Sequence, residues 1–103
     1  MIITTTENVN GVLPKKTLGM VKGNTIRARW FGRDIAAALK TLIGGEIKSY
    51  TKMLDDARNE ALDRMIQEAK KLKADAIIGV KFGTSDVMQG SAEILAYGTA
   101  VII

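Results

Sequence analysis

Residues 47–73 read IKSYTKMLDDARNEALDRMIQEAKKLK, and this stretch decides the fold. Tyr50, Met53, Leu54, Ala57, Ala61, Leu62, Met65, Ala69 and Leu72 recur at three- and four-residue steps. That spacing marks one apolar face of an α-helix. Asp55, Asp56, Glu60, Asp63, Arg64, Glu68 and Lys71 fill most of the remaining positions as a solvated face. Lys70, Lys71 and Lys73 fall at the C-terminal end, where the helix dipole favours cations. A helix over 47–73 would be about 40 Å long at ~1.5 Å per residue. A compact domain of ~100 residues has a radius of gyration of only ~13 Å. Such a helix spans its domain, and part of its stripe then calls for a neighbouring molecule.

Downstream, residues 76–82 read as a strand, with Ile78, Val80 and Phe82 on one face and Ile77, Gly79 and Lys81 on the other. Residues 83–90 read as a polar turn, and 93–103 as a second strand. This last strand is largely apolar on both faces, and such a strand is usually covered on both. Two helices cover one face of a small sheet, so a second subunit is the simplest cover for the other.

Upstream, residues 1–6 are β-branched and extended in character, and 7–14 read as a loop through Asn8, Asn10, Gly11 and Pro14. Residues 17–22 and 25–30 flank Gly23-Asn24, a two-residue hairpin signal. A turn there sets Val21 opposite Ile26 and Gly19 opposite Ala28, with Trp30 on the same apolar face. Leu18, Met20, Lys22, Thr25, Arg27 and Arg29 then share a mixed face. It suits either a wet interface or anion site, or a solvated surface where arginine stems cover apolar neighbours. A short helix is expected over 33–43, with Asp34 in its first turn and Gly44-Gly45 ending it. A phosphate could also approach at that glycine pair, though the rest of a phosphate-loop motif is missing. No repeat or boundary divides residues 1–103. Strands, then two helices, then strands make an α+β domain: a small antiparallel sheet packed by one short and one long helix.

Composition narrows the chemistry. The chain has 103 residues, 47% hydrophobic and 25% charged, with a net charge of +4. It contains no cysteine and no histidine. Disulfides, thiol chemistry and the usual near-neutral acid/base are therefore absent. The commonest ligands of soft and borderline metals are missing too. Asp55-Asp56 lies within the long helix without a ligand loop around it, so a hard-cation site there is not expected. Met53 and Met65 fall on the helical stripe as core rather than as thioether ligands. Ser49, Ser85 and Ser91 lack a histidine partner and a Gly-x-Ser-x-Gly elbow. Glu46 and Glu93 are the least obviously structural acids, and ion pairs with Arg or Lys account for each. Basic residues dominate the first third, but Trp30 belongs to the apolar hairpin face, which disfavours nucleic-acid binding. No signal peptide pattern and no membrane-length apolar run is read, so the cytoplasm is the expected compartment.

Ile43-Gly44-Gly45-Glu46, Tyr50-Thr51, residues 57–61 (ARNEA), residues 74–80 (ADAIIGV) and residues 97–101 (YGTAV) occur in order, preceded by Leu18-Gly19, Val21 and Gly23. In this ordered set the chain resembles the YbjQ-like family along essentially its full length. The resemblance implies a dodecin-like subunit closing into a ring, most simply a pentamer, and it carries the label of a heavy-metal-binding domain. No metal ligands carry over, because the chain has neither Cys nor His.

The expected function is that of a non-enzymatic, homo-oligomeric binding or scaffold protein. Its ligand would sit between subunits or on the ring axis. Candidate contacts are Arg27, Arg29, Glu46, Tyr50, Glu93 and Tyr97, with arginines for an anionic group and tyrosines for flat apolar area. No organic cofactor is expected. The alternative is a divalent metal held by carboxylates gathered at subunit interfaces.

Overall fold

The computed structural model describes residues 1–27, 48–88 and 91–103. The short helix expected over 33–43 and the residues Trp30, Arg29 and Glu46 lie outside them. The described elements are β1 (Ile2–Ile3), β2 (Lys16–Arg27), α1 (Lys48–Lys71), β3 (Ala76–Met88) and β4 (Ser91–Ile102). The strands form one sheet in the order β1-β3-β4-β2. It is mixed rather than antiparallel, because β1 runs parallel to β3 while β2 and β3 run antiparallel to β4.

The helix forms where its periodicity requires. Ala57, Ala61, Met65 and Ala69 are fully buried, and Leu54, Leu62 and Ile66 pack beside them. The helix closes at Lys73, which adopts φ 60°. Ala74 N–H donates to Ala69 C=O at 3.1 Å and Lys73 N–H to Lys70 C=O at 3.0 Å, the paired bonds of a Schellman stop. Leu72 lies beyond the helix and is exposed rather than part of the buried stripe.

The expected hairpin at Gly23-Asn24 does not form. Residues 16–27 are one strand paired with β4 from Lys16↔Ile102 to Arg27↔Ala92. Neither Gly23 nor Asn24 has positive φ. The two-residue turn sits instead at Asn10-Gly11, with φ of 52° and 78° and the Val9–Val12 amides bonded reciprocally at 3.2 and 2.9 Å. Order explains the difference: Asn-Gly fits both positive-φ positions of a type I′ turn better than Gly-Asn. Gly23 has another task. A Cβ there would collide with the Ala61 carbonyl oxygen and the Met65 amide nitrogen. The helix backbone rests on the strand at this point, and the alanines on either side allow it.

The expected turn over 83–90 is also replaced in part. Gly83 to Met88 continue β3, paired from Gly83↔Leu95 to Met88↔Ser91. A bulge at Gly79, φ 61°, shifts the register between Ile78↔Thr99 and Lys81↔Tyr97. Two residues of β3 there oppose Gly98 alone, which reverses the side-chain alternation along the strand. Lys81 therefore joins the side of Ile78, while Phe82 pairs with Ala96 on the helix side, so the expected face assignment fails beyond Ile78.

The core lies between α1 and one side of the sheet. It gathers Val21, Ile77, Val80, Ile94, Ala96 and Ala100 under the helix. The helix crosses β2 and β4 and scarcely touches β3. Gly23→Ala should therefore cost about 1–3 kcal/mol, the range of overpacking a closed core. Gly83, with open space around its Cβ position, should accept alanine within about 0.5 kcal/mol. Urea unfolding of the two variants measures both.

Candidate functional site

Alternation on three strands assembles the side of the sheet opposite α1. Met20, Lys22, Asn24 and Ile26 of β2 pair with Thr99, Tyr97, Leu95 and Glu93 of β4. On the other flank, Thr99, Tyr97, Leu95 and Glu93 pair with Ile78, Lys81, Gly83 and Ser85 of β3. Residues directly opposite one another project to the same side of a sheet. Four rows of three residues result. Met20, in the middle of β2, is 69% exposed, and Ile26, near its end, is 55% exposed. Leu95, Tyr97 and Thr99 are half-buried. Among the described residues, no helix lies on this side.

The polar groups of this outer side divide in two. Asn24 Nδ2 donates to Glu93 Oε2 at 2.9 Å, and the Asn24 backbone carbonyl accepts from Arg64 Nη1 at 2.5 Å. Arg64 Nη2 also meets Glu60 Oε1 at 2.5 Å, so one chain of contacts runs from the helix around the sheet edge to Glu93. Among the described residues, Lys22, Lys81 and the Tyr97 hydroxyl form no ion pair or hydrogen bond, although their strands place them in one row. On the helix side Thr25 is 2% exposed and its Oγ1 has no partner among the described residues.

Of the residues expected to contact a ligand, Glu93 and Tyr97 share this outer side two rows apart. Arg27 and Tyr50 are described by backbone alone. Arg27 pairs with Ala92, in the register series of Val21, Gly23 and Thr25 rather than that of Met20 and Lys22. The face expected to join Arg27 with Met20 depended on the turn that is absent. Lys22 and Lys81 were not foreseen as neighbours. The straight strand at Gly23 and the bulge at Gly79 bring them to either side of Tyr97, and neither is apparent from alternation alone.

A family model described as "Putative heavy-metal-binding" matches residues 1–103. The chain belongs to the YbjQ family. Its relatives include a UPF0145 protein of Pseudothermotoga lettingae, 60% identical over 103 residues and covering all of this chain and 97% of the relative. Another, from Thermotoga maritima, is 62% identical over 101 residues, covering 98% of this chain and 95% of the relative. A solved structure of a protein of unknown function from Pediococcus pentosaceus, in the DUF74 family, superimposes with a TM-score of 0.65. It is 24% identical and covers 100% of this chain and 97% of that one, so it supports the fold alone.

The donor set does not fit a soft heavy metal. The chain has no thiolate and no imidazole to offer. Among the described residues, no three carboxylates converge on a point. Competition for Zn²⁺ against a chromophoric chelator of micromolar affinity should leave the metal with the chelator. Stoichiometric transfer of Zn²⁺ to the YbjQ-family chain would contradict this assignment.

Proposed function

We propose that this YbjQ-family protein is a non-enzymatic binding or scaffold protein that works as a homo-oligomer, with a pentameric ring of dodecin-like subunits as its form. The outer side of the sheet carries the reading. Met20 in the middle of β2 and Ile26 near its end are exposed, and Leu95 and Tyr97 lie between the long strands that flank them. Full burial of a Met or Ile side chain contributes about 1.5–3 kcal/mol. A second copy covering this side gains that from each chain, and the ordering cost of rigid strands is small.

The composition agrees: the chain lacks Cys and His. The family description favours a second reading, in which symmetry gathers carboxylates around a hard divalent cation.

Native mass spectrometry tests the assembly. The expected result is a single closed oligomer that falls to smaller species when Met20→Glu and Ile26→Glu are combined, with helix content unchanged by circular dichroism. A monomer at micromolar concentration would overturn the reading. Saturable heat on titration with Mn²⁺ or Ca²⁺ would instead favour the carboxylate alternative.

A further inference from the structure

The row Lys22–Tyr97–Lys81 crosses β2, β4 and β3 on the outer side of the sheet. Adjacent strands lie about 4.8 Å apart, so the two lysine backbones straddle the tyrosine at about 10 Å. Their flexible four-carbon stems place both ammonium groups within reach of one anion above the ring. Both lysines are exposed and Tyr97 is half-buried. The neighbouring rows supply no carboxylate: Met20–Thr99–Ile78 lies on one side and Asn24–Leu95–Gly83 on the other. Glu93, one row further, already accepts a hydrogen bond from Asn24.

Two like charges about 10 Å apart repel at low salt, since the separation is close to the Debye length at ~0.1 M. Nothing within the described chain relieves them. A bound dianion does. A phosphomonoester carries about −1.5 to −2 charge, which matches two ammonium groups. The Tyr97 hydroxyl can donate to a phosphate oxygen, and its ring offers a face for a planar group. Leu95 and Met20 provide apolar shoulders in the adjoining rows.

We infer that the Lys22–Tyr97–Lys81 row binds a small phosphomonoester bearing a planar or apolar body. This rests on the reading of an oligomeric binding protein, because a neighbouring copy on the same side excludes water and strengthens each charge-assisted contact. Both lysines point away from the core, so their replacement leaves the fold intact.

The test titrates the intact protein with adenosine monophosphate, inorganic phosphate and adenosine, followed by calorimetry and by the amide resonances of Lys22, Leu95, Tyr97 and Lys81. Adenosine monophosphate should saturate and move those resonances. Inorganic phosphate should move the lysine resonances with lower affinity, and adenosine should bind at least tenfold more weakly than its monophosphate. Lys22→Ala with Lys81→Ala should weaken adenosine monophosphate at least tenfold, and Lys22→Arg with Lys81→Arg should retain it. No saturable binding of either phosphate, or undiminished binding to the double alanine variant, would overturn the inference. Native mass spectra of the same samples separate the two claims. An intact oligomer without phosphate binding defeats the anion site alone, whereas a monomer defeats the assembly reading. Dissociation caused by the double alanine variant would assign the lysines to a neighbour's carboxylates and overturn the anion site.

Discussion

The backbone of α1 rests directly on β2 at Gly23, with the Ala61 carbonyl and the Met65 amide where a side chain would otherwise stand. The arrangement of the fold follows from this contact. Ala57, Ala61 and Ala69 are small enough to let the helix descend, and Met65 fills the space between them and the sheet. Because the helix sits low over β2 and β4, it closes one side of the sheet tightly, and among the described residues no element covers the opposite side. Gly98 repeats the device within the sheet, where a Cβ would meet Ile77 Cγ2 at 2.8 Å. Interiors packed at near-crystalline density tolerate such approaches only with glycine.

The helix was legible because its signal is local and repeated. Apolar residues recur over more than six turns between Lys48 and Lys71, and each agrees with the others. The last strand was legible for a similar reason. Its apolar run is long and unbroken, and β4 lies inside the sheet, paired with β3 and β2. The hairpin and the polar turn were misread because isolated glycines carry several meanings. Gly23 marks a close approach, Gly79 a bulge, Gly83 an ordinary strand position, and Gly11 the one described type I′ turn. The parallel pairing of β1 with β3 joins Ile2 to Ala76, a contact across most of the chain that no local pattern encodes.

The candidate site was legible in its parts and not in its assembly. Glu93 and Tyr97 were recognisable as a charge and an aromatic ring on a strand otherwise poor in both. Their neighbours depend on register. One bulge at Gly79 decides that Lys81, rather than Val80, stands beside Tyr97, and the unbroken run of β2 through Gly23 decides that Lys22 stands opposite. Alternation predicts faces only up to the first bulge. The YbjQ family match extends over the full chain, while the absence of thiolate and imidazole limits what the family's metal description can mean here.

The central claim is that the outer side of the sheet is occupied by another copy in the working protein. Met20, 69% exposed in the single chain, reports on it directly. Its oxidation by dilute hydrogen peroxide can be followed by peptide mass spectrometry, with Met1, 47% exposed, as the internal reference. The account predicts that Met20 oxidises several-fold more slowly than Met1 in the concentrated protein and catches up on dilution or in urea. Oxidation of Met20 as fast as Met1 at every concentration would contradict it.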